Sequence, residues 1–248
     1  MEETKNNFPT ETIELPSKGL VYPESNPLSS GKVEMKYMTA KEEDILSNQT
    51  YIKDGTVIDR LLQSLIITKI DYKDLIVGDK NAILIAARIL GYGKNYTFEY
   101  KGEEVTVDLS LLDHKEFDES QFEKGKNEFS FILPNTEDNI TFKILTHGDE
   151  SKIDADIKGA KRINKKSSPN MSTRMKHMIT SINGDEEKSS IRDFVDTRFL
   201  AIDAREFRKH IKNFQPDVNM RVTIETPEDD DEIELPIGLK FFWPDVDL

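Results

Sequence analysis

Four histidines, His114, His147, His177 and His210, have the widest catalytic and metal-binding repertoire in this chain, and none has a second histidine three or four residues away. A helical zinc site needs two such ligands on one face, an acyl-transfer site needs a nucleophile on a sharp turn, and a nucleotide site needs a glycine loop leading into a helix. The sequence contains no HExxH, GxSxG or P-loop pattern. Gly91-Tyr92-Gly93 follows a helical pattern and precedes a strand pattern. That is the reverse of the order that aims helix N–H groups at a phosphate, so these glycines read as a helix stop. Asp154-Ala155-Asp156 starts like a calcium loop, but Lys158 and Lys165 fall where the fifth and twelfth positions require oxygen ligands. The acidic run Glu228–Glu232 reads as a solvated hairpin loop. Cysteine is absent, which removes disulfides and thiolate metal sites. No catalytic residue, metal or cofactor is assigned.

The sharpest charge feature is the stretch from Lys158 to His177. It carries Lys158, Lys161, Arg162, Lys165, Lys166, Arg174 and Lys176 without one acid, in a chain whose net charge is −13. A solvated helix face accounts for such a run, and so does a docking patch for an acidic partner. Nucleic-acid binding is the weaker alternative, because the overall charge repels phosphates and no aromatic residues interleave the cations for base stacking.

The elements around these residues follow from periodicity. The stretch that opens at Ile13 is expected to run as an extended arm punctuated by Pro16, Gly19, Pro23 and Pro27, since each proline fixes φ and pushes its predecessor out of helix. Its Leu15, Leu20, Val21 and Tyr22 need a surface to lie on, either the chain's own core or a neighbouring subunit. Deletion of residues 1–24 is expected to leave a folded monomer that no longer binds its partner; loss of cooperative unfolding would instead show that the arm belongs to the core. Val33–Tyr37 alternates like a half-buried strand. Thr39 and Glu42 form a capping box that opens a helix over 40–47. Helices are expected from Thr56 to Thr68 and from Asp79 to Leu90, the second apolar almost all round and therefore buried. Three β-hairpins follow, at 96–100 with 105–109, 129–133 with 140–144, and 220–226 with 232–239. Helices are read at 149–165, 171–182 and 190–214. In the last, Ile191, Phe194, Val195, Phe199, Ile202, Phe207, Ile211 and Phe214 form a stripe at helical spacing that ends before Pro216.

LPSKGLVYP (15–23), YMTAKEEDIL (37–46) and YIKDGTVIDRLLQ (51–63), together with the ending FFWPDVDL (241–248), bracket the chain from end to end. This ordered set resembles the baseplate hub and hub-assembly proteins of T4-type contractile-tailed bacteriophages. The resemblance implies a protein of the tail baseplate, built in the host cytoplasm, with other hub or tail proteins as partners and self-association as a further arrangement. It adds the terminal Phe242 and Trp243 to the contact residues. Some proteins of this group carry Cys-x-x-Cys pairs in the hairpins where this chain has glycine and acidic residues, so a zinc role is not carried over.

The fold class expected is α+β: an arm and first strand over 1–38, a helical core with a hairpin over 39–112, a connector over 113–127, and hairpins with a helical block over 128–248. Phe117 and Phe122 mark the connector as packed rather than free. A mean hydropathy of −0.58 and the lack of any apolar run near the roughly 18 residues of a membrane span exclude an embedded protein. The N-terminal MEETKNN lacks the basic-then-apolar pattern of a secretion signal. The function expected is non-enzymatic, through protein–protein contacts. The alternatives are a cell-wall hydrolase of the tail, which needs two carboxyls facing each other across a cleft, and nucleic-acid binding through 158–177.

Overall fold

The computed structural model describes residues 9–165, 169–225 and 230–242. Within it the arm is a strap. Thr10–Glu14 (β1) pairs antiparallel with Lys32–Lys36 (β2), with Ile13 opposite Val33. The loop between them closes where the Leu15 N–H donates to Gly31 O at 2.8 Å. Gly19 lies at φ +79°, and a Cβ there would stand 2.5 Å from Ser29 O, so only glycine lets the strap fold against itself.

Three short helices follow: Ala40–Leu46 (α1), Gln49–Asp54 (α2) and Val57–Leu65 (α3). The expected capping box is present at Thr39. Its Glu42 is fully buried and also accepts from Lys36 Nζ and Ser64 Oγ, both at 2.7 Å. The chain then runs back along β2, where the Ile67 N–H donates to Glu34 O at 2.8 Å.

Val77–Tyr92 (α4) is the central helix, buried without interruption from Ala82 to Arg88. An extended strap, a later loop and the C-terminal turn all press on it, which is why its apolar residues run round every side. At Gly78 the approach is closest: an added Cβ would lie 2.0 Å from Pro216 O.

Asn95–Tyr100 (β3) and Glu103–Asp108 (β4) form the first expected hairpin. Residues 113–127 are ordered, and Phe122 stacks on Phe214 with ring centroids 4.8 Å apart. Phe129–Ile132 (β5) and Asn139–Phe142 (β6) form the second hairpin. His147–Ile163 (α5) and Asn170–Met178 (α6) follow.

Two expected helices are corrected. The segment read as one helix over 171–182 is helical only to Met178. Ile179–Ile182 (β7) then joins β6 as a third strand, Ile182 opposite Ile140. The stripe over 190–214 is not one helix either. Lys188–Asp193 (α7) passes into a π-helical turn, Phe194–Arg198, the chain extends at Phe199, and Ala201–Phe214 (α8) starts afresh. Phe194 and Phe199 are five residues apart, and their rings stack at 5.2 Å. Only a wider turn puts both on one face, and the Phe199 N–H donates to Phe194 O at 2.8 Å accordingly.

Arg221–Glu225 (β8) and Asp230–Glu234 (β9) form the third hairpin, and Leu239–Phe242 (α9) packs back on α4. The buried apolar residues, from Leu15 to Phe242, form one hydrophobic cluster. The class is α+β, with small antiparallel sheets set among helices.

Candidate interaction surface

The arm's apolar residues lie on the chain's own core. Leu15, Val21 and Tyr22 are buried, and Leu20 is half-buried against the same cluster. A polar clasp fixes them there. Asp79, fully buried on α4, accepts from the Ser17 N–H (2.9 Å), Ser17 Oγ (2.7 Å) and Tyr22 OH (2.6 Å). The Tyr22 hydroxyl in turn accepts the Ile76 N–H at 3.1 Å. Burial pushes the Asp79 carboxyl up to about 6, against the pull of the Ser17 and Tyr22 hydrogen bonds. The same burial, with Asp79 beside it, pushes the Tyr22 phenol well above its ordinary range. Sequence reasoning saw the apolar half of this strap and missed the polar half. Its signal was one aspartate at the head of an otherwise apolar helix.

Phe242 is likewise buried, edge-on to Phe241 at 5.2 Å, while Phe241 meets Tyr96 at 4.9 Å. Trp243 and Lys166 lie outside the described residues.

The basic segment divides in two. Its α6 cations are tied inward: Arg174 grips Glu150 of α5 with both guanidinium nitrogens, Lys176 reaches Asp196 at 2.7 Å, and His177 Nε2 lies 2.8 Å from Asp156. These hold α6 between α5 and the π turn. The cations near the end of α5 are different. Lys158, Lys161, Arg162 and Lys165 are exposed and form no ion pair among the described residues. Beside them Ile163 is 92% exposed and Met171 is 54% exposed. Beyond Ile157, which packs half-buried against the core, the end of α5 and the residues that follow it are exposed from Lys161 to Lys165. Lys161 and Arg162 complement the negative end of the helix dipole. That explains their charge but not an isoleucine in water.

A cluster of titratable groups sits elsewhere. Asp59 accepts from Lys80 Nζ at 2.5 Å and Tyr72 OH at 3.0 Å, and His147 Nε2 lies 3.7 Å away. Burial holds His147 below its ordinary range and pushes Tyr72 up. The cluster borders a cleft of about 680 Å³ lined by residues 66–73, His147 and Ser151. Its polar groups bond to one another, and the cleft's own carboxylate, Asp71, caps the Lys73 N–H at 3.0 Å. This is the geometry of a tie between α3, α4 and α5. His114 and His210 are also held down by burial, His210 stacked on Phe131 at 4.5 Å. Among the described residues no three His, Asp or Glu side chains converge as a metal site.

The family model described as T4 bacteriophage base plate protein matches residues 10–243. The chain belongs to that family. Neither the curated proteins nor the solved structures compared with it gave a match. The match begins in β1 and runs past α9, so strap, central helix and terminal aromatics fall inside it. Membership makes this a bacteriophage baseplate protein with a structural role, associated with other tail or baseplate proteins. Among the described residues no helix is long and apolar enough to cross a membrane.

Proposed function

We propose that the chain is a non-enzymatic protein of the baseplate hub, a hub subunit or a factor that assembles the hub, and that it docks an acidic protein surface through the end of α5. The family match supports the baseplate setting, and the ordered motifs resembling hub proteins support the hub. The observation that carries the docking site is the exposed Ile163 in a segment whose exposed Lys158, Lys161, Arg162 and Lys165 form no ion pair among the described residues. An apolar residue flanked by cations fits a partner that offers acids around a shallow apolar spot. The strap is the weaker contact candidate, because trans docking of Leu15, Val21 and Tyr22 would first strip three donors from a buried carboxylate.

The test is affinity capture of the tagged full chain from infected cells, with quantitative mass spectrometry of purified virions. Recovery with hub proteins and a fixed small copy number in virions identifies a subunit. Recovery with hub proteins but absence from virions identifies an assembly factor. Recovery of no tail protein sinks the hub reading and reopens a cell-wall hydrolase or a nucleic-acid binder. In the K161E/R162E variant, recovery of hub proteins should fall; unchanged recovery removes the α5 surface.

A further inference from the structure

We infer that the acidic surface met by the end of α5 belongs to a second copy of this chain, namely the outer face of its β3–β4 hairpin. The inference rests on the docking role of the α5 end proposed above, and it names the occupant. In the antiparallel register Glu99 stands directly opposite Glu104, and both are exposed; Glu103, paired with Tyr100, is exposed on the other face. Like charges facing each other across two strands destabilise the pair they sit on. The nearest cation in sequence, Lys101, turns away to Asp231 at 2.6 Å, and Lys94 is taken by Asp108 at 2.7 Å. Glu99, Glu103 and Glu104 therefore form no ion pair among the described residues, as is true of Lys158, Lys161, Arg162 and Lys165.

One chain thus carries two surfaces of opposite sign, and no ion pair joins them among the described residues. Each is exposed and each sits on a regular element, so neither has to reorganise to meet the other. The same face carries the Thr97–Thr106 pair, whose hydroxyls bond each other at 2.7 Å, and the Asn95–Asp108 pair, so short side chains lie next to the two glutamates where Ile163 would rest. Because the two patches differ, the contact is heterologous. It runs head to tail and builds a ring or an open series rather than a twofold dimer.

The experiment is sedimentation velocity of the full chain over a range of loadings in low and high salt, with thermal melts of every variant as the folding control. Wild-type chain should self-associate as loading rises and dissociate in high salt, since the contact is mainly between exposed charges. K161E/R162E and E99K/E104K should each weaken association at least about tenfold, with melts close to wild type because only exposed residues change. An equimolar mixture of the two variants should associate again, each supplying the half that the other lacks. If a reversed variant fails to fold, the neutral pairs K161Q/R162Q and E99Q/E104Q carry the same comparison. A wild type that stays monomeric at every loading overturns the inference, as does association indifferent to both pairs or a mixture that stays monomeric. If self-association is absent while K161E/R162E still loses hub proteins in the capture experiment, the second copy is wrong as occupant and the α5 docking role stands. If both are unaffected, both fail.

Discussion

Asp79→Asn tests the clasp, because it keeps the shape of the side chain and removes its charge; the acceptor oxygen it also loses costs the same at every pH and drops out of the pH dependence. Burial holds the Asp79 carboxyl near 6 in the folded chain, whereas an exposed aspartate titrates near 3.8. Between those values the native state keeps a proton that the unfolded chain has lost. Wild-type stability relative to the variant should therefore be full below about pH 4 and fall as pH rises through 6. The gap of about two pKa units corresponds to about 3 kcal/mol. The comparison is needed because Glu42 acts in the opposite direction. Hydrogen bonds from Lys36, Thr39 and Ser64 outweigh its burial and hold its carboxyl down at about 2, so its stabilisation is lost only as pH falls toward that value. Both proteins share that contribution, and subtraction removes it. Urea unfolding of wild type and Asp79→Asn at intervals from pH 4 to 7.5 measures the difference. A difference that stays constant across this range would refute the reasoning, since it would mean that the carboxyl is hydrated and that the strap does not seal it.

Tyr22→Phe removes one donor to that carboxylate and the acceptor for the Ile76 N–H; it should cost about 1.5–3 kcal/mol at pH 7, read from denaturant midpoints. Deleting residues 1–24 takes Leu15, Val21 and Tyr22 out of the core as well. At about 1.5–3 kcal/mol for each side chain, that approaches the whole stability of an ordinary domain, and circular dichroism should find no cooperative transition. Gly78→Ala should destabilise by at least about 2 kcal/mol in thermal melts, because its Cβ meets the backbone oxygen of Pro216 rather than a side chain that can move. Phe242→Ala should cost about 3–5 kcal/mol, measured in the same melts, as expected for a fully buried ring.

How much was legible in the sequence depended on whether local period and tertiary partner agreed. The hairpins were readable because their alternation already specifies one buried face. Met175, Met178, Ile179 and Ile182 keep helical spacing right through the point where helix becomes strand. What turns the chain at Ile179 is the open edge of β6, whose Phe142 lies 37 residues earlier and outside any local window. Phe194 and Phe199 failed for a subtler reason: they belong to one stripe, but at π spacing. The proposed docking surface was half legible. The run of cations was plain, yet which of them are tied to Glu150, Asp156 and Asp196 depends on how α5, α6 and the π turn meet.

The central helix is gripped by both ends of the chain, and this has a consequence for synthesis. Ser17 reaches forward 62 residues to Asp79, Asn81 bonds Asp217 across 136 residues, and Tyr96 donates to the Pro236 carbonyl across 140. Such contacts close large loops, and the last of them involve residues made long after α4 itself. While the polypeptide is still on the ribosome, α4 lacks its later partners and leaves apolar surface uncovered. Completion of the core should then wait until residues 217–242 have emerged, which makes folding slow and puts the nascent chain at risk of aggregation. A nonsense codon anywhere before Phe241 would leave no smaller folded species behind, only a chain for proteases to remove.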